Sequence, residues 1–172
     1  MNGELRFYSF CNMYISHIQA GIQTGHMSDN MSVKYLLNTT LKNSVFLEKK
    51  RQHEEWIRSH KTYIVLSGGD DAEIHRINDL LNNICNGEIL ALPIGNFNEP
   101  GMGGMMSCCG VVVPERFFNA KKSVDTDTWD GIPEFKYTSS VITGDRTDYF
   151  VYEKDSVEYQ FIELIKSKPL FK

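Results

Sequence analysis

The first half of the chain alternates short apolar runs with helical periodicities. "LRFYSFCN", Leu5 to Asn12, is aromatic-rich and predicts a strand. "HIQAGIQTGHMSDN" follows with Gln19, Gln23, His26 and Asn30 at i, i+4, i+7 and i+11, one polar stripe on a helix that starts near Ser16 and runs past Tyr35. Ile15, Ile18 and Ile22 fall on another side, and Gly21 and Gly25 lie between, one turn apart. Each glycine costs roughly 1 kcal/mol against alanine inside a helix, so the pair needs a reason. "NTTLKNSVFLEKKRQHEEWIRSH" predicts a second helix with Phe46, Leu47 and Trp56 turned inward.

"KTYIVLS", Lys61 to Ser67, reads as a buried strand stopped by Gly68 and Gly69. "DDAEIHRINDLLNNICNG" supplies an Asp70/Glu73 capping box, an apolar face of Ile74, Ile77, Leu81 and Ile84, and Gly87 as a stop. "EILALPIG" predicts the next strand and "CCGVVVP" another, ending at Pro114. Between them "NFNEPGMGGMMS" reads as a loop whose glycines let the backbone approach a ligand or another segment. Strand and helix alternate in the order β, α, α, β, α, β, loop, β, which argues for an α/β sheet with helices on its faces.

After Pro114 the pattern changes. "NAKKSVDTDTWDGIPEF" is polar and turn-rich, "FKYTSSVIT" and "TDYFVYEK" flank Gly144 and Asp145 as a hairpin, and "SVEYQFIELIKS" is an amphipathic helix. The expected organisation is a single domain: an α/β core over residues 1–118, with 119–172 as an appendage of linker, hairpin and helix packed on it. The appendage is too short to stand alone comfortably.

Composition narrows the function. A formal charge of -4 and a pI near 5.7 set the whole-chain field against a phosphate backbone, which disfavours tRNA as a partner. The basic cluster "LEKKRQHEEWIRSHK" is interrupted by acids and reads as a solvated helical face. Cys11, Cys85, Cys108 and Cys109 match neither a zinc pattern nor a disulfide framework, so free thiols in a reducing, cytoplasmic setting are expected. No leader pattern and no membrane span is expected either.

Three landmarks in order give a resemblance. "IQAGIQTGHM" reproduces the small residues, Gln23 and His26 of a helix written G-K-x-A-x-Q-x-x-H-A. "EEWIRSHKTYIVLSGGDDAEI" matches a tryptophan ahead of a K-x-V-V-x-K strand and an acidic helix start. "LALPIGNFNEPGMGGMMSCCGVVVP" echoes a strand, a D-A-G-x-T-x-x-x-P-G-x-x-T loop and an apolar strand ending in proline. Over residues 5–114 the chain thus resembles the type 2 peptidyl-tRNA hydrolase (PTH2-like) fold family. That resemblance implies a mixed four-stranded sheet with helices on both faces, a first helix packed tightly on the sheet through its small residues, and a pocket lined by its polar side.

The family's catalytic lysine falls on Gln19, which cannot titrate. Its aspartate falls on Asn96 or, with a gap, on Glu99, and its late threonine on Cys108 or Ser107. The texture of the chain, including "IKSKPLFK", also resembles accessory proteins of large tailed phages, which implies the host cytoplasm and a counter-defence role.

The expected ligand-binding set is therefore Gln19, Gln23, His26, Asn30, Asn96, Glu99, Met102, Ser107 and Cys108. Amides offer both donor and acceptor to a base or amide edge. Were the chain an enzyme, His26 would act as general base with Glu99 orienting it. Cys108 and Cys109, adjacent on a strand, point to opposite faces, so at least one is expected to be buried and inert. "EPGMGGMMS" could offer backbone N–H groups to phosphate, or a methionine wall around Met102. Histidines 17, 26, 53, 60 and 75 form no metal motif, and no metal or cofactor is expected. The leading expectation is a protein that binds or sequesters a small nucleotide-like ligand; the alternatives are a hydrolase of peptidyl-tRNA or a related nucleotide conjugate, and a protein-interaction module.

Overall fold

The computed structural model describes residues 3–87, 89–124, 133–138 and 149–171. They fall into two compact units: a larger one of residues 5–113 with 168–172, and a smaller one of residues 1–4 with 114–167.

In the larger unit β1 (Leu5–Asn12) leads to α1 (His17–Ser32), which continues as a wider π-helical turn over Val33–Leu37. The second helix, α2 (Ser44–Glu55), is capped by Asn43 and also ends in a π turn, Trp56–His60. Its inward face carries Phe46, Lys49, His53 and Trp56, while Leu47, expected inside, is half exposed. One residue past Phe46 is a rotation of about 100°, enough to carry Leu47 out of the core.

Then come β2 (Thr62–Gly69) and α3 (Asp71–Cys85), the latter burying Ile74, Ile77, Leu81 and Ile84 as its period predicts. Gly68 and Gly69 lie within β2 rather than ending it before them; Gly69, at φ 79°, sits where the β1 register slips between Cys11 and Asn12. Half of the expected capping box forms: the Asp70 side chain accepts from the Glu73 N–H. The Glu73 carboxylate instead takes Arg76 and Lys168, and those bonds hold its pKa down at about 2.

The next strand is not "EILALPIG". Leu90 and Leu92 are buried in irregular chain, and β3 spans Ile94–Glu99, pairing antiparallel with β4 (Met105–Pro114). Most of the expected loop is thus a hairpin whose tip is a 3-10 turn, Pro100–Met102, followed by Gly103 and Gly104 at φ 68° and 82°.

The sheet is four-stranded and mixed, in order β2-β1-β4-β3, with β1 and β2 parallel. Helices cover both faces. Cys108 Sγ donates to the Gln23 carbonyl of α1 and its neighbour Cys109 to the Ile74 carbonyl of α3; consecutive strand residues point oppositely, so α1 and α3 lie on opposite sides. The core under α1 and α2 gathers Phe7, Met27, Met31, Tyr35 and Trp56. The outer edge of β2 is closed by the last residues: Ser67 N–H donates to Pro169 O and Phe171 N–H to Val65 O.

The smaller unit holds a short helix α4 (Glu115–Phe118), an antiparallel sheet β5 (Lys121–Val124), β6 (Pro133–Thr138) and β7 (Tyr149–Glu153) in that order, and α5 (Val157–Ser167). Its core stacks Phe117 edge-on to Phe161 at 5.3 Å and Phe135 on Tyr159 at 4.8 Å. β6 and β7 pair as the expected hairpin arms; Gly144 and Asp145 lie outside the described residues. β5 lay in the segment read as polar turns. Among the described residues no helix is long and apolar enough to cross a membrane.

Candidate functional site

Helix α1 is capped by Ser16, whose Oγ accepts from the Gln19 N–H at 3.3 Å while Gln19 Oε1 accepts from the Ser16 N–H at 2.9 Å. This reciprocal box occupies Gln19, which is exposed. The buried face of the helix is Ala20, Gln23, Thr24, Met27, Ser28 and Met31, whereas Ile18 and Ile22 face solvent. Gly21 and Gly25 meet nothing within 4 Å of a built Cβ, so they do not bring α1 onto the sheet as the resemblance implied. Close approach comes from the sheet side: a Cβ on Gly95 would lie 2.5 Å from Met31 Cγ, and one on Gly110 2.6 Å from the Tyr8 carbonyl oxygen.

Gln23 Nε2 donates to Glu99 Oε2 at 2.5 Å, and Glu99 Oε1 accepts from the Gly101 N–H at 3.2 Å. The carboxylate therefore ties α1 to the hairpin tip. His26 stacks on the Phe97 ring at 5.1 Å, and no hydrogen bond or ion pair joins it to Glu99. Met102 is half exposed at the tip. Ser107 and Cys108 are fully buried, donating to the Phe97 and Gln23 carbonyls. Cys108 also meets Cys11; that hydrogen bond and burial hold its thiol far above the ordinary range, in its protonated form. All four cysteines are buried and free.

Asn30 and Asn96 come together elsewhere. With Lys34, Asn78, Asn82, Met31, Ile94 and Gly95 they line a cleft of about 230 Å³ where α1 and α3 flank edge strand β3. The backbone of β3 contributes directly. Val112 N–H donates to Pro93 O, so the alternation of an antiparallel ladder turns Ile94 and Asn96 away from β4. Ile94 is satisfied by Tyr35, whose hydroxyl donates to its carbonyl at 3.0 Å and accepts from its N–H at 3.1 Å. The Asn96 N–H and C=O face the open edge.

The amides form a ladder: Asn96 Nδ2 donates to Asn78 Oδ1 at 3.2 Å, Asn82 Nδ2 to the Asn78 carbonyl at 2.8 Å, and Asn86 Nδ2 to Asn82 Oδ1 at 3.4 Å. Partial burial lowers the pKa of Lys34 at one wall. Asn78, Asn82 and Lys34 were not singled out from the sequence. Their signal was the i, i+4, i+8 run of asparagine at 78, 82 and 86 beside the apolar face of α3. No protein-family model matches this chain, and no curated protein is significantly similar to it.

Proposed function

We propose that this chain binds a small nucleotide-like ligand without turning it over, on a fold of the PTH2-like class. The asparagine-lined cleft carries the reading. Asn78, Asn82 and Asn96 bond within the cleft but each keeps a second N–H or lone pair, a set of donors and acceptors complementary to a nucleobase edge, and the outward Asn96 backbone adds an N–H and a C=O. Met31 and Ile94 supply an apolar wall against which a flat ring can lie. At about 230 Å³ the space suits a base or nucleoside rather than a larger conjugate.

Gln19, standing where the resembling family has its lysine, is engaged in a helix cap, and His26 has no carboxylate to orient it. Both features favour holding over hydrolysis. The phage-like texture makes sequestration of a host signal the biological role to examine.

The test is native mass spectrometry of the protein purified from its producing cells, then release and identification of small molecules. A stoichiometric nucleotide-like mass, lost from the Asn78→Ala and Asn82→Ala variants, is the expected result. Discharge of peptidyl-tRNA that disappears in His26→Ala or Glu99→Gln would instead establish a hydrolase.

A further inference from the structure

Lys34 belongs to two clefts. On its far side a second space of about 290 Å³ is lined by Asn43, Lys49 and Asn86 and by the rings of Tyr35 and Phe46. The residues lining the two spaces include two lysines and six asparagines, and no carboxylate. In a chain with 22 acidic residues against 18 basic ones, the two clefts stand out as a local excess of positive charge.

Lys49 is 4 % exposed, and its Nζ donates to Asn86 Oδ1 at 2.5 Å. Burial lowers its pKa to about 8, and repulsion from Lys34 adds to the fall. The other titratable neighbour acting on Lys49 is Cys85, whose thiol burial pushes up to about 12, so it is neutral at pH 7. Among the described residues no Asp or Glu pairs with either lysine. The buried Lys49 ammonium is met by the neutral Asn86 amide rather than by a carboxylate, and a ligand that brings the opposite charge offsets part of its desolvation cost.

We propose that the two clefts form one bipartite site for a phosphorylated nucleoside, with the phosphate between Lys34 and Lys49 and the base along Asn78, Asn82 and Asn96. The two ammonium groups match the charge of a phosphate monoester. Asn43 and Asn86 offer amide donors to its remaining oxygens. The ladder from Asn96 to Asn86 runs from the base end to the phosphate end, and Lys34 stands at their junction. This assignment rests on reading the asparagine cleft as a base reader and adds the anionic half of the ligand.

Calorimetric titration of the full chain with the four ribonucleoside 5′-monophosphates, the four parent nucleosides and inorganic phosphate separates the two halves. At least one monophosphate is expected to bind about tenfold or more tighter than its own nucleoside. Lys34→Gln, at an exposed position, should bring that ratio down to near one; Asn78→Ala should weaken nucleotide and nucleoside alike. Buried Lys49 is the riskier substitution, so Lys49→Met is read only beside a thermal melt showing that it folds, and Lys34→Gln decides. Equal affinity for a nucleotide and its nucleoside would overturn the phosphate assignment and leave the small-ligand reading standing. Phosphate binding as tightly as any nucleotide, unaffected by Asn78→Ala, would overturn the bipartite site, and absence of binding across the panel would sink both readings.

Discussion

Gly21 and Gly25 cost α1 helix propensity, and nothing in the described structure occupies the space beside them. Replacing either by alanine should raise stability by up to about 1 kcal/mol in urea unfolding, because alanine fits the helix and restricts the unfolded chain. Gly95→Ala should do the reverse. Its Cβ would overlap Met31 Cγ at 2.5 Å, and relieving that contact should cost about 1–3 kcal/mol.

His53 makes the pH dependence. It is fully buried between the Tyr35 and Trp56 rings, its Nε2 lies 3.2 Å from Ser32 Oγ, and its Nδ1 has no partner. Burial lowers its pKa from 6.5 to about 4, so between those values the unfolded chain takes up a proton that the folded one refuses. Stability should fall as pH drops from 6.5 to 4, by about 3 kcal/mol from this residue, and stay level with respect to it above 6.5. Urea midpoints against pH for the native chain and for His53→Gln check this: the substitution should flatten the slope in that window.

At the level of elements, Tyr35 links helix to sheet. Its hydroxyl is both donor and acceptor to Ile94 at the edge of β3, and burial pushes its pKa up to about 12. Tyr35→Phe should leave a buried N–H and C=O unpaired and cost about 2 kcal/mol or more, while the ring packing survives. A matching rise in amide exchange at Ile94 would locate the loss.

Elements whose side chains obey the usual inside–outside rule were legible. α3 followed its apolar face, because water and core select opposite residue types along it; β1 was bounded to the residue for a different reason, an aromatic-rich run that an inner strand buries on both faces. α1 breaks the rule: Gln23, Thr24 and Ser28 are inside, bonded to sheet and hairpin, while Ile18 and Ile22 are outside. Its stripe therefore named a polar face without saying that Gln23 would be spent on Glu99. β3 and β5 were missed because an edge strand such as "NFNE", or one as polar as "KKSV", carries little hydrophobic contrast, whereas "LAL" buries its leucines without pairing. Of the cleft, Asn30 and Asn96 were legible as amides; their meeting with Lys34, Asn78 and Asn82 depends on two helices flanking one strand, which no local pattern encodes.

Across the whole molecule, charge and topology act over distances that no single element spans. The net charge of -4 does not describe the paired clefts, whose lining residues include two lysines and no carboxylate. The chain also leaves the larger unit at Pro114, builds the smaller one, and returns at Lys168 to close the β2 edge. Stopping the chain after Ser167 should expose that edge, and hydrogen exchange should quicken at Ser67, whose N–H donates to Pro169 O at 2.9 Å.

That late return gives synthesis a clock. β2 is complete roughly a hundred residues before its covering segment is made, an interval of about 5–20 s at elongation rates of about 5–20 residues per second. Throughout it a nascent chain presents unpaired backbone groups that neighbouring nascent chains on the same message could match. Crowded translation is then a stage at which this uncovered edge is open to pairing between chains.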